Sequence, residues 1–423
     1  MSASPPAPAS PRSPAAQRRR GWVMRAMALG LGIAVAWAVL EVVVRVRTRT
    51  DADGNQTAFG GRLRPFVPPV EWTRARAEEL AAGKQPCFRY DPDLGWRNNP
   101  RTRCHKGSYI YDGAGLRAPS VKRRPSKSRE PGVLRVGLFG DSFTHGDGVD
   151  YAQTWGHVLE QSLNAQGIEA KVFNFGVGGY GLDQALLRWR KDGASFGLDV
   201  VVLGFQSENI LRSLNMIRVL YFWRTRLPFT KPRFLLRDGR LEVINQPAIG
   251  PDALPQVLAD LEHWPLREHD EFYVASDFEP RWWQGSRLLG YLSGWKAHHV
   301  GRLFYEGQQP YYDVDGEPAA LALAIVGAFE GEVQHSGADF YVVHLPKKID
   351  LERIAEDPRS LWYAGLRDEI DARHAWVETE AAFMEAVSSS SVDAMYGRSE
   401  HYSPQGNAVV GAELAGAISA DRR

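Results

Sequence analysis

Leu134-Arg135-Val136-Gly137-Leu138-Phe139-Gly140-Asp141-Ser142-Phe143-Thr144-His145-Gly146 decides the fold. Its first six residues are apolar apart from one arginine, the pattern of a strand buried on both faces of a parallel sheet. Gly140 then permits a tight turn, which leaves the Ser142 hydroxyl at the strand's C-terminal end. Open α/β sheets hold their ligand sites at that edge, so Ser142 is placed to be a nucleophile.

Four more strand candidates follow: Ala170–Phe175, Val200–Phe205, Phe340–His344 and Ala375–Glu378. They alternate with helical stretches at Thr154–Gln166, Asp183–Lys191, Leu321–His335, Leu361–Arg373 and Pro404–Ala420. Such alternation predicts a doubly wound parallel sheet of three layers, joined by right-handed crossovers. Between the third and fourth strands lies an insertion of about 210–318. It contains a hairpin pattern at Phe234–Val243 around Asp238-Gly239, and aromatic pairs at Phe222-Trp223, Trp282-Trp283 and Tyr311-Tyr312. The insertion either shapes a binding cleft or forms a structural subdomain.

The 423 residues are 44% hydrophobic and 24% charged, which supports a folded core and excludes global disorder. A formal net charge of +1 argues against nucleic-acid binding by bulk charge. The organisation expected is a disordered basic tail over 1–21, a transmembrane anchor over 22–47, a linker and N-terminal extension over 48–130, and the catalytic domain over 131–423. The anchor rests on Ala26–Val44, 19 residues broken only by Glu41 and flanked by arginines on both sides. A cleavable signal is the rival, with Ala34-Val35-Ala36 and Ala36-Trp37-Ala38 as cleavage-like sites. The apolar stretch is longer than a signal core needs, which favours an uncleaved anchor and an extracytoplasmic, periplasmic domain. Two cysteines, Cys87 and Cys104, lie close together beyond it. They are either a short-loop disulfide, as an oxidising compartment allows, or two unrelated thiols.

A serine nucleophile needs a base and fixed donors for the developing oxyanion. Among 11 histidines, His401 stands out, because Ser403 and Pro404 read as the cap and first residue of the last helix. It therefore lies on a loop that can fold over the sheet's C-terminal edge. Oxyanion donors expected are the Ser142 N–H, a glycine N–H from Gly176-Val177-Gly178-Gly179-Tyr180-Gly181 and the Asn209 amide after the third strand.

Ser142, that glycine, Asn209 and His401, in that order and at those positions, resemble the SGNH hydrolases of the GDSL esterase family. The resemblance covers roughly 134–420 and implies a flavodoxin-like fold and hydrolysis of acyl esters through an acyl-serine. It implies Ser142 as nucleophile, His401 as base, and Gly179 as oxyanion donor, with Gly176 and Gly178 as rivals, beside Asn209. One important position departs from the family pattern, and the asparagine block also reads Ser207-Glu208-Asn209 rather than the more familiar Gly-x-Asn-Asp. Where an aspartate normally precedes the histidine by three residues, this chain has Arg398. Glu400 and Asp393 are substitutes without the usual spacing, and a Ser–His dyad held by a backbone carbonyl is the alternative.

The glycine run also fits a dinucleotide fingerprint, but it follows the second strand and lacks an acid at a strand end. No cofactor and no metal are expected. The partners expected are an acyl-ester substrate and, through the N-terminal helix, a membrane. An O-acylated cell-envelope glycan is the substrate suggested by location and aromatic content. An O-acyltransferase on the same Ser–His site and a catalytically weak glycan-binding or assembly protein are the alternatives.

Overall fold

The computed structural model describes residues 14–223, 225–279, 281–299, 309–357 and 360–422. The helices that organise it are α1 (Pro14–Arg47), α2 (Trp155–Ala165), α3 (Leu182–Arg188), α4 (Arg287–His299), α5 (Glu317–His335), α6 (Ala364–Asp371) and α7 (Pro404–Ala420). The central strands are β1 (Leu134–Phe139), β2 (Ala170–Asn174), β3 (Val200–Phe205), β4 (Asp339–His344) and β5 (Trp376–Val377).

The five strands are parallel and lie in the order β2-β1-β3-β4-β5. Every residue of β1 and β3 is buried, which is why both read as apolar runs. The chain moves one way from β1 to β2 and the other way from β2 to β3. Right-handed crossovers therefore put α2 and α3 on opposite faces. The packing agrees: α2 pairs with α7, while α3 and α6 both pack against α5. The order reverses between β1 and β3, and the crevice beyond their C-terminal ends is where this architecture places a ligand.

The expected elements are present with altered ends. The second helix stops at Arg188 and widens over Trp189–Gly193, where Trp189 packs on Phe139 and Phe329. The helix expected from Leu361 starts at Ala364, because Tyr363 turns its hydroxyl inward to His344 and Asp350. The hairpin pairs Arg233–Arg237 with Arg240–Ile244. Its Asp238 and Gly239 have φ of 50° and 72°, as a two-residue hairpin turn requires.

By internal contacts the chain forms two compact units, Met1–Val67 with Ala275–Gly301, and Pro68–Val274 with Arg302–Arg423. The larger unit holds the central sheet. It also holds the short antiparallel pairs Phe88–Asp91 with Gly95–Asn98 and Arg103–Cys104 with Tyr109–Ile110. Cys87 and Cys104 are joined in a disulfide, with Cα atoms 5.7 Å apart.

The smaller unit contains α1, α4 and a three-stranded sheet of Arg49–Thr50, Gln56–Ala58 and Gly61–Arg62. Helix α1 begins at Pro14, ahead of the expected anchor, and the first 13 residues of the expected tail lie outside the described residues. Its segment Gly21–Arg47 is long and apolar enough to cross a membrane, with a mean hydropathy of 2.3 over an 18-residue window. Part of the 210–318 insertion thus packs with the N-terminal segment.

Candidate active site

Ser142 opens a single helical turn, Ser142–His145, directly after β1 and Gly140. Asp141 fixes this turn. One carboxylate oxygen accepts the Phe143 N–H at 2.9 Å. The other accepts Gln206 Nε2 at 2.6 Å, Asn209 Nδ2 at 3.0 Å and Arg212 Nη1 at 2.7 Å. Asp141 is fully buried, so the guanidinium and amides replace the water it has lost. Arg212 is in turn paired with Glu208 at 3.0 Å. Burial opposes ionisation of Glu208, but Arg212 and Lys347 outweigh it and hold its carboxyl at about 2.

His401 reaches Ser142 from the loop before α7. Its Nε2 lies 2.8 Å from Ser142 Oγ. Its Nδ1 lies 3.0 Å from the Ser399 carbonyl oxygen and 3.3 Å from Ser399 Oγ. A carbonyl oxygen can only accept, so Nδ1 carries the proton and Nε2 is free to accept from the serine hydroxyl. The loop is held in place by Tyr396 and Tyr402, whose hydroxyls both donate to the Pro346 carbonyl at 2.8 Å. It is closed by Gly397 N–H to His401 O at 2.7 Å. Ser403 caps α7 and Pro404 is its first residue, as the sequence pattern predicts.

Neither acid considered for orienting His401 bonds to it among the described residues. Asp393 is paired with Lys348 at 2.6 Å. Glu400 is exposed, in the left-handed region with φ of 60°. The Ser399 carbonyl occupies the position that an aspartate takes in a full triad.

The glycine loop after β2 lies against the serine turn. Gly176 could carry no side chain, because a Cβ there would sit 2.5 Å from the His145 nitrogen. Its own N–H is bound to Asn174 Oδ1 at 2.9 Å, which removes it as an oxyanion donor. The N–H groups of Ser142, Gly178 and Gly179 have no acceptor among the described residues. Arg218 lies beside Gly179, its Nη1 3.5 Å from the Gly179 carbonyl oxygen. Asn209 Nδ2 bridges to Asp141 and, more weakly, to Tyr180 O at 3.3 Å. It braces the turns after β1, β2 and β3 together, and would have to release the Tyr180 bond to face an oxyanion.

The N-terminal extension grips both loops, which sequence reading did not foresee. Trp96 Nε1 donates to Gly178 O at 3.0 Å, Asn98 Nδ2 to Gly176 O at 3.0 Å, and Tyr180 Oη to Trp96 O at 2.6 Å. Gly148 N–H donates to Tyr109 Oη at 2.7 Å. Tyr111 Oη lies 3.0 Å from His145 Nε2, and His145 Nδ1 lies 2.5 Å from Asp147 Oδ1. Burial pushes the Tyr111 phenol far up and the His145 imidazole down. The set is thus a Tyr O–H donating to a neutral imidazole that donates to a carboxylate. Burial acts to raise Asp147, but its contact with His145 outweighs this and holds it below the usual carboxylate range. Asp147 is therefore an anion held by His145.

Residues 136–224 match the family model described as GDSL-like lipase/acylhydrolase. No curated protein sequence matches the chain. Similar solved structures include an acetylxylan esterase from Geobacillus stearothermophilus, at 12% identity and a TM-score of 0.37 over 67% of this chain and 94% of that one. A putative lipolytic protein of the G-D-S-L family from Desulfitobacterium hafniense is 12% identical, with a TM-score of 0.32 over 67% of this chain and 99% of that one. The family match, the β2-β1-β3-β4-β5 sheet and the serine turn after β1 make this chain similar to the SGNH hydrolases of the GDSL type. That class consists of ester-hydrolysing enzymes.

Proposed function

We propose that the chain is an exported, membrane-anchored serine esterase that removes O-acyl groups from cell-envelope glycans. The 2.8 Å contact between Ser142 Oγ and His401 Nε2, with Nδ1 held by a carbonyl, carries the mechanism. Ser142 Oγ attacks the ester carbonyl as its proton passes to His401 Nε2. The oxyanion takes the N–H groups of Ser142 and Gly179, with Asn209 as the third donor. Collapse of the tetrahedral intermediate breaks the ester C–O bond, and His401 gives its proton to the leaving alcohol. Water then attacks the acyl-serine, its proton goes to His401, and Ser142 leaves and is reprotonated.

Hydrolysis of p-nitrophenyl esters from acetate to octanoate by the full chain tests this. Turnover lost in both Ser142→Ala and His401→Ala is expected, with acetate preferred if the target is a glycan acetyl group. Acyl release that requires an added sugar acceptor would reassign the chain as a transferase. Glycan binding that survives Ser142→Ala, without turnover in the parent, would reassign it as a binding protein.

A further inference from the structure

The smaller unit exposes several large apolar side chains in whole or in part. Outside α1, the exposed large hydrophobics among the described residues are Phe59, Phe222, Trp282, Leu292 and Trp295. Four of these five belong to the smaller unit, and Trp282 is 93% exposed. Leu292 and Trp295 share one side of α4, next to Lys296, while Leu288 on the same helix is buried with Val44, Ala58 and Leu63.

The level of this surface is set by Glu41. Its carboxylate accepts Ser286 Oγ at 2.7 Å, Arg287 N–H at 2.8 Å and Leu288 N–H at 2.9 Å, so it caps α4 from another part of the chain. Arg45 bonds both Glu41, at 2.6 Å, and the Gly285 carbonyl. Glu41 lies three residues inside the end of the apolar run at Val44, which is about 4.5 Å along a helix axis. The start of α4 is therefore tied to the edge of the apolar segment. Trp282 lies only four residues before Ser286.

We propose that this unit is a membrane-interface collar, in which α1 is retained as the anchor and Trp282, Leu292 and Trp295 sit in the headgroup layer of the bilayer. The proposal rests on the reading of α1 as a membrane span. Tryptophan suits that layer because its ring is apolar and its N–H finds water or headgroup oxygens. Arg45, Arg47 and Lys296 are placed to meet lipid phosphates. Cleavage after Ala36 or Ala38 would cut through α1 just before the residues that cap α4 and pack on Leu288. The helix end is a built part of the downstream fold, which a discarded signal is not.

The test uses the full chain in vesicles of phosphatidylcholine and phosphatidylglycerol, with a fluorophore on Trp282→Cys or on Ala34→Cys. Nitroxide lipids carry the quencher either near the headgroup or deep in the acyl chain. The headgroup-level nitroxide is expected to quench the label at position 282 about twofold or more, and the deep one to quench the label at position 34. Intact mass of the membrane-purified chain is expected to include residues before Ala36. A quenched label at 34 with an unquenched one at 282 would overturn the collar while leaving the span. A chain beginning after Ala36 or Ala38, or neither label quenched, would overturn both.

Discussion

Asp141 and Glu41 are both carboxylates that gather donors, and they do so for different ends. Asp141 is fully buried and draws on side chains 65, 68 and 71 residues away, all from the segment just after β3, two of them on the short helix Glu208–Ser213. Glu41 is partly exposed and draws on donors 245, 246 and 247 residues away, two of them backbone N–H groups. The first locks neighbouring sheet edges so that Ser142 keeps one geometry. The second staples a returning insertion to the helix that precedes the whole hydrolase. A buried ion pair is unforgiving of a missing partner, whereas a cap is graded. The two regions are expected to fail in different ways.

The largest effect sharpens the first half of the comparison. Ser142→Ala and His401→Ala should each lower kcat/KM for p-nitrophenyl acetate by about 10³-fold or more, and the double variant by little beyond either alone. Asp141→Ala strips Gln206, Asn209 and Arg212 of a shared buried acceptor and leaves Arg212 with Glu208 as its remaining carboxylate, and should cost about 3 kcal/mol in urea unfolding. Replacing both cysteines by serine opens a link spanning 17 residues and should cost about 3 kcal/mol. Because the extension holds the glycine loop through Trp96 and Asn98, the same variant should also lose kcat.

Glu41→Ala tests the second half. It should cost about 1 kcal/mol, read as faster hydrogen exchange at Arg287 and Leu288, with hydrolysis of a soluble ester unchanged. A large loss of activity would break the contrast between the two regions.

The smallest effect is on pH dependence. His145 has a folded pKa below its unfolded value of about 6.5, so the unfolded chain takes up a proton that the folded one refuses. That contribution is intact above the unfolded value and is lost as pH falls. Asp147, also depressed, adds a further loss at lower pH. His145→Gln should flatten the first part of the decline in thermal unfolding.

The doubly wound sheet was legible because β1 and β3 are unbroken apolar runs that end in chemistry-bearing turns. Ser142 and His401 were legible for the same reason, since a strand end and a capped helix start are local patterns. The support for His401 was not, because a Ser399 carbonyl has no side-chain signature and the departure at Arg398 points only to what is missing. Glu41 reads in sequence as the one break in the apolar run Ala26–Val44. Its actual role depends on donors more than two hundred residues later, a pairing that no local pattern encodes. The grip of Trp96, Asn98 and Tyr111 on the site was hidden likewise, because those residues read as an extension beside the domain.

The most direct test of the central account is mass mapping of the acyl-enzyme. The full chain is mixed with p-nitrophenyl acetate, quenched in acid within the first turnover and digested. The account predicts one acetyl group on the peptide containing Ser142, absent in Ser142→Ala and strongly reduced in His401→Ala. Acetyl on another residue, or hydrolysis that persists in Ser142→Ala, would contradict it.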